Sequence, residues 1–332
     1  MTPSEPSNER ASISVVAPVY QEEATIGEFL SRCRAVLDSI NLPGGWEIIL
    51  VDDGSSDHSM QRMREAAALD GRIRAIRLSR NFGHQIAISV GIDHASGDAI
   101  VIIDSDLQDP PETIARMVEE WKRGAEVVYG VRTSRKGERA LKLLTARVFY
   151  RSLAYLSETP VSTDTGDFRL LDRKVVEVLR SMREENRYLR GMVPWIGFRQ
   201  VGVEYAREAR FAGESKYSLS KMTRLAMNGV TAFSERPLQV AFQLGACITA
   251  ASFGYLLWIL ISVIIGPSHS IAGFASLMCV ILFLGGVQLL SVGLLGLYVG
   301  RIFREVKRRP LYVIDEVVNV PSNGLVSSGK LV

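Results

Sequence analysis

The sequence predicts an α/β fold with a mostly parallel sheet and helices on its faces, followed by an apolar helical hairpin. Two observations carry this. Short β-branched runs alternate with helix-like segments through the N-terminal part of the 332-residue chain. Then, from Leu238 to Gly300, there is no Asp, Glu, Lys or Arg at all. The average hydrophobic content of 47% is ordinary for a globular protein and conceals that division.

In chain order, residues 12–18 (Ser-Ile-Ser-Val-Val-Ala-Pro) form the first strand pattern, ending in Pro18-Val19-Tyr20-Gln21-Glu22-Glu23, with a helical pattern over 25–40. Residues 46–51 predict a second strand that ends in Asp52-Asp53-Gly54-Ser55-Ser56-Asp57, and a helix follows over 59–69. A third strand is expected over 73–78, a third helix over 84–95, and a fourth strand over 99–103. In such a sheet ligands bind beyond the carboxyl ends of the strands, where the acids of the first, second and fourth strands all fall. Glu22 or Glu23 and Asp52 or Asp53 can accept hydrogen bonds from a base or ribose. As an isolated tripeptide, Asp53-Gly54-Ser55 is an ordinary turn, and its interest lies in its position.

The fourth strand is an uninterrupted apolar run, Ala99-Ile100-Val101-Ile102-Ile103, that stops in Asp104-Ser105-Asp106-Leu107-Gln108-Asp109-Pro110-Pro111-Glu112. On an extended backbone Asp104 and Asp106 share a face, with Gln108 next in line. Oxygen ligands of this kind suit Mg²⁺ or Mn²⁺ bridging to nucleotide phosphates. The alternative is a loop of acids capping the next helix, which would need only one of them.

The uncharged block divides into residues 238–265 and 273–299, each long enough to cross the bilayer as a helix, joined by Gly266-Pro267-Ser268-His269-Ser270. Lys221, Arg224 and Arg236 precede it, Arg301, Arg304, Lys307, Arg308 and Arg309 follow it, and the connecting loop has no Lys or Arg. The positive-inside rule therefore predicts a multi-pass protein of the plasma (inner) membrane, with the N-terminal domain and both termini cytoplasmic. Residues 1–10 are polar and carry no signal-peptide pattern. The expected domains are this tail, a catalytic domain over 11–217, an amphipathic juxtamembrane helix over 218–236, the hairpin over 237–300 and a basic C-terminal segment over 301–332. Cys33, Cys247 and Cys279 show no metal-ligand spacing. A net charge of +3, with basic residues near the membrane boundary, favours anionic lipid over nucleic acid as a partner. Gly296-Leu297-Tyr298-Val299-Gly300 is a small-residue pairing motif that packs the hairpin or joins subunits of a homo-oligomer.

The motifs at 18–23, 51–57 and 104–112, with Leu78-Ser79-Arg80-Asn81-Phe82-Gly83, Thr165-Gly166-Asp167-Phe168-Arg169-Leu170 and the two apolar stretches, resemble the polyprenyl-phosphate branch of the family 2 inverting glycosyltransferases. The likeness covers residues 12–311 and includes the bactoprenol glucosyl transferases and dolichol-phosphate mannose synthases. It implies a GT-A (Rossmann-like) sheet and transfer of a sugar from a nucleotide diphosphate, a UDP-sugar foremost, to the phosphate of a membrane polyprenol. The metal would be held by Asp106 and Gln108 with Asp104 close by. Asp53 would contact the uridine, with Pro18, Tyr20, Glu22 and Ser105 about the same pocket. Asp167 falls where the family's proposed base lies, and would serve as base or orient the acceptor or Arg169; its alternative is a local ion pair with Arg169 in a surface loop. Residues 207–217 resemble the loop that closes over the donor, where Arg207, Arg210 and Lys216 reach phosphate oxygens and Gly213 hinges. Arg132, Arg135, Lys136, Arg139, Lys142 and Arg147 sit on a solvated or lipid-facing helix.

Three other classes compete. A processive polysaccharide synthase would need a Gln-x-x-Arg-Trp motif after Asp167, and none occurs. Two uncharged spans offer too little polar surface for a sugar-lipid transporter, and the intact acids argue against a degenerate nucleotide-binding module. No residue identifies the sugar; glucose ranks first because the likeness is closest to the glucosyl branch, ahead of GDP-mannose or a UDP-linked amino sugar.

Overall fold

The computed structural model describes residues 11–133, 165–185, 187–208 and 274–320, together with residues 243, 245–248, 250, 251, 253, 254 and 261. The chain divides into two units, one of Met1–Tyr150, Thr159–Ser218 and Arg309–Val332, the other of Arg151–Glu158 and Leu219–Arg308.

The first unit is built on an eight-stranded mixed sheet. Its first half alternates as the sequence predicts: β1 (Ile13–Val19), α1 (Ile26–Ile40), β2 (Trp46–Asp52), α2 (Ser59–Leu69), β3 (Ile73–Leu78), α3 (His84–His94), β4 (Ala99–Ile102) and α4 (Thr113–Lys122). The second half holds β5 (Val127–Arg132), β6 (Thr165–Asp172), α5 (Arg173–Ser181), α6 (Leu189–Ile196), β7 (Gln200–Tyr205) and β8 (Ile314–Val318). The spatial order is β7-β5-β6-β4-β1-β2-β3-β8. Strands β4, β1, β2 and β3 run parallel. Strand β6 is antiparallel to both β4 and β5, and β8 is antiparallel to β3. The sheet is thus more mixed than expected, because β6 and β8 carry no acidic loop or helix pattern that marks them in the sequence.

The central strands are buried on both faces, with Val15, Val16, Ile48, Ile49, Leu50 and Val101 all fully enclosed. Helices on both faces explain the continuous apolar runs: alternation is lost when neither face meets water. Helix α3 lies against β1 so closely that a Cβ on Gly91 would sit 2.2 Å from Val16 Cγ1. Val16 is β-branched and stiff, so it cannot yield. Gly91→Ala is therefore expected to cost about 1–3 kcal/mol, read as a lower denaturant midpoint at unchanged slope.

Strand β8 closes the β3 edge and is pinned there by side chains. Arg64 meets Glu316 through two hydrogen bonds of 2.7 and 2.8 Å, Tyr312 donates its hydroxyl to buried Asp93 at 3.0 Å, and Asn319 Nδ2 donates to the carbonyls of Ala67 and Ile73.

In the second unit, α7 (Phe274–Lys307) is 34 residues long. Its stretch Phe283–Lys307 is, among the described residues, the one helix long and apolar enough to cross a membrane, with mean hydropathy 1.7. Its apolar side chains face outward, Leu289 at 75% and Val292 at 58% exposure. It extends the expected second span through Arg301, Arg304 and Lys307 without a break. Of the expected first span, residues 243, 245–248, 250, 251, 253, 254 and 261 are helical, and the rest lies outside the described residues, as does the whole juxtamembrane segment 218–236. A pair of spanning helices is therefore not established.

Candidate active site

The loops after β1, β2 and β4 meet at the carboxyl edge of the sheet and are bound to one another. Gln21 N donates to Ser55 Oγ and Glu22 N to Ser59 Oγ, both at 3.0 Å, while Ser105 Oγ donates to Pro18 O at 2.9 Å. Thr25 Oγ1 donates to the Glu22 carboxylate at 3.0 Å, and Tyr20 stands 47% exposed at the rim. Asp53 is buried, and its two oxygens accept the backbone N–H groups of Phe82 (2.7 Å) and Gly83 (2.9 Å). The close approach depends on Gly54, with φ of +72°, where a Cβ would lie 2.6 Å from the Arg80 carbonyl carbon. Asp53 thus holds the Arg80–Gly83 turn that leads into α3. Burial pushes its carboxyl upward from the usual range against those two backbone hydrogen bonds. Asp52 is fully enclosed, with Oδ1 accepting Ser55 N and Oδ2 making no hydrogen bond.

Strand β4 ends at Ile102, and the chain turns at Ser105 and Asp106 with Leu107 in the left-handed region at φ 59°. This corrects the expectation of an extended Asp104-Ser105-Asp106 whose carboxylates share a face by strand alternation. The turn arises because Asp106 Oδ1 accepts Gln108 N at 3.1 Å, a short-range bond typical of an Asp that begins a turn. The capping alternative fails as well: the N-terminus of α4 has no side-chain cap. Asp109 is buried and accepts the Tyr205 hydroxyl at 2.5 Å, and Glu112 is bound by Arg32.

Asp104 Oδ1 is a buried oxygen that makes no hydrogen bond. Burial raises the Asp104 pKa to about 6, with His84 opposing and Asp167, Asp109 and Asp106 adding. No group of three or more His, Cys, Asp or Glu gathers as a metal cage among the described residues. Two carboxylates and an amide nevertheless fit Mg²⁺ or Mn²⁺, which are ordinarily held by one or two carboxylates with substrate phosphates completing the shell. Asp104 Oδ1, buried and without a hydrogen bond though 3.4 Å from His84 Nε2, is the oxygen in this loop of donors that supports the fit.

The motif around Asp167 is not a surface loop. Asp167 and Arg169 lie in β6, each 4% exposed, and their side chains do not pair. Arg169 instead donates to three backbone carbonyls, those of Gly166 (2.9 Å), Asp167 (3.3 Å) and Leu189 (3.4 Å). The partners of Asp167 are residues that the sequence reading did not single out. Arg190 makes a bidentate pair with it, Nε to Oδ1 and Nη2 to Oδ2, both 2.9 Å. Gln85 Nε2 donates to Oδ2 at 3.1 Å, and His84 Nε2 lies 3.2 Å from Oδ2 and 3.4 Å from Asp104 Oδ1. Burial would raise the Asp167 pKa, but His84 and Arg190 outweigh it and hold the carboxyl well below its usual range. On His84 burial acts against the charge, and the Asp167 hydrogen bond with the Asp104 and Asp167 charges raises the pKa to about 9. The one signal for these residues was place: His84 and Gln85 directly follow the Leu78–Gly83 motif.

Of the loop residues, Arg207 is described and lies beside the acids: Nη2 donates to Gln108 Oε1 at 2.5 Å, and Nε is 3.9 Å from Asp109. Glu208 N donates to Gln108 O at 3.0 Å. Arg210 and Lys216 lie outside the described residues, as do Arg135, Lys136, Arg139, Lys142 and Arg147. Arg132 donates to the Tyr205 hydroxyl at 3.1 Å.

A sheet whose parallel centre ends in carboxylates, with a buried acid–arginine pair beside them, is the arrangement of an α/β protein whose ligands bind in the crevice beyond its strands. The sequence fits the family model "Glycosyl transferase family 2" over residues 14–180. It is 46% identical over 312 residues to the uncharacterized glycosyltransferase YkcC of Bacillus subtilis, spanning 94% of this chain and 96% of that one. It is 40% identical over 304 residues to the SfII prophage-derived bactoprenol glucosyl transferase of Shigella flexneri, spanning 92% of this chain and 97% of that one. The mannosyl-3-phosphoglycerate synthase of Rubrobacter xylanophilus aligns over 67% of this chain and 72% of its own, at 18% identity and a TM-score of 0.44. The chain belongs to glycosyl transferase family 2 and is a glycosyltransferase.

Proposed function

We propose that the chain is a membrane-bound inverting enzyme that moves a hexose, glucose from UDP-glucose first, onto polyprenyl phosphate, giving a polyprenyl-monophosphate sugar for cell-envelope glycosylation. The observation that carries this reading is the 40% identity to a bactoprenol glucosyl transferase across 92% of this chain and 97% of the relative. The uncharged block and its basic flanks support a two-span hairpin with the catalytic domain and both termini on the cytoplasmic side of the plasma membrane. A resident membrane anchor suits an acceptor whose hydrocarbon tail never leaves the lipid.

Asp104, Asp106 and Gln108 hold Mg²⁺ or Mn²⁺ in this reading, and the bound cation supplies neutralisation of the departing diphosphate. Glu22, with Pro18, Tyr20 and Ser105, lines the nucleoside end of the crevice, and Asp53 fixes the turn beside it. An oxygen of the acceptor phosphate forms a bond to the anomeric carbon from the face opposite the breaking bond to the nucleotide diphosphate. That oxygen is already anionic at neutral pH, so no base has to remove a proton. Asp167, whose carboxylate is engaged by Arg190, His84 and Gln85 and held far below its usual pKa, is suited to orienting cations rather than taking a proton.

The test is turnover by the purified full chain in detergent with undecaprenyl phosphate, a divalent cation and a panel of UDP- and GDP-sugars, following sugar-lipid formation. UDP-glucose should outpace every other donor by about 10-fold or more. Preferential use of GDP-mannose or a UDP-linked amino sugar would replace the donor assignment. Nucleotide binding without transfer to any lipid phosphate would overturn the reading in favour of a binding module. Chelation with EDTA should bring turnover to background and Mg²⁺ or Mn²⁺ should restore it; full activity in EDTA would remove the metal.

A further inference from the structure

We infer that Arg190 is the residue that receives the phosphate of the lipid acceptor, with Asp167 as the positioning residue that aims it; this rests on the polyprenyl-phosphate reading above. The argument starts from how unequally the two partners are buried. The Asp167 side chain is 3% exposed and that of Arg190 39%, so the pair is anchored at its acidic end and open at its basic end. The bidentate contact uses Nε and Nη2, which leaves the Nη1 edge turned away from the carboxylate. A guanidinium clamped along one edge has lost most of its rotamer freedom, and its remaining N–H groups match the oxygens of a phosphate monoester.

The surroundings add rigidity that a simple surface pair would not need. Gln85 bridges Asp167 and α6, its Nε2 donating to Asp167 Oδ2 at 3.1 Å and its Oε1 accepting Leu189 N at 3.0 Å. Arg169 Nη1 donates to Leu189 O at 3.4 Å from the β6 side. The backbone immediately before Arg190 is therefore tied to both α3 and β6. Two arginines, Arg190 on the Asp167 carboxylate and Arg169 on the Asp167 backbone carbonyl, stand at one buried acid, and that excess of positive charge favours a further anion.

Contact order decides which anion. Asp104 touches His84, His84 touches Asp167, and Asp167 touches Arg190. Arg190 thus stands two side chains away from the carboxylate next to the donor's diphosphate. The donor phosphates belong at the Asp104 end and the acceptor phosphate at the Arg190 end.

The experiment has a kinetic arm and an arm on the unaltered protein. Arg190→Gln should raise KM for undecaprenyl phosphate about 10- to 100-fold. KM for the nucleotide sugar should change less than about 3-fold, and Arg190→Lys should recover part of the loss. In the wild-type enzyme, citronellyl phosphate should protect Arg190 from an arginine-specific dicarbonyl reagent, mapped by mass spectrometry, and UDP should not. This second arm stands even if both variants fail to fold. Equal modification of Arg190 with and without citronellyl phosphate overturns the assignment, as does a KM effect confined to the donor. A wild-type enzyme that transfers sugar to no prenyl phosphate defeats the underlying reading instead, and the two failures are told apart by wild-type turnover alone.

Discussion

Asp106→Asn should give a folded protein whose sugar transfer is at least about 100-fold slower, with the deficit unrelieved by millimolar Mg²⁺ or Mn²⁺. Asn keeps the oxygen that accepts Gln108 N at 3.1 Å, so the turn after β4 survives. What it loses is the charge. With one of its two carboxylates gone, the proposed cation site keeps only Asp104, and Asp104 itself is driven toward its neutral form by burial. The measurement is turnover against cation concentration for wild type and variant, with thermal unfolding as the control for folding. Wild-type turnover in the variant would remove Asp106 from the site. Asp106→Ala, which also removes the turn acceptor, should show the same kinetic loss with an added drop in stability of about 1 kcal/mol.

The parts of this protein that were legible in its sequence are those in which one local rule suffices. Strands β1, β2 and β4 announce themselves because burial on both faces leaves largely apolar runs, β3 is marked by Ile73, Ala75, Ile76 and Leu78 despite Arg74 and Arg77, and the helices between them follow from ordinary periodicity. Asp104, Asp106 and Asp53 stand out because acids end those runs. The second half hides for a different reason. Strand β6 holds a charged pair, Asp167 and Arg169, inside the sheet, where a pattern reading expects apolar residues and sees a loop. What permits the burial is non-local: Arg169 finds carbonyls of Gly166, Asp167 and Leu189, and Asp167 finds Arg190, which lies 23 residues further along. Strand β8 is illegible in the same way, since its identity as a strand depends on the β3 edge and on Arg64. Likewise Asp53 reads as a ligand-facing acid in the sequence, whereas in the fold both of its oxygens first serve the backbone of Phe82 and Gly83.

Asp167→Asn is expected to lower kcat by about 100-fold while leaving nucleotide-sugar affinity within about 3-fold. The amide preserves shape and one acceptor, but its NH₂ group faces N–H donors of Arg190, Gln85 and His84 that were all served by the carboxylate. Arg190 then loses its fork-to-fork pairing and swings free, so the cost falls on the step that needs the acceptor aligned rather than on binding the donor. Stability should fall too, by about 1–3 kcal/mol, the range for leaving buried polar groups unsatisfied. The pH dependence of that stability loss separates the charge from the shape. Because the native pKa of Asp167 is held well below its unfolded value, the carboxylate contributes its full stability above the ordinary carboxylate range. That contribution drains away as the pH falls below about 4, where the unfolded chain binds a proton that the folded one does not. The gap in unfolding free energy between wild type and Asp167→Asn should therefore narrow as the pH falls below about 4. A gap that stays constant through acid pH would mean that the charge of Asp167 does not hold Arg190, and unchanged kcat would leave the residue a structural role alone.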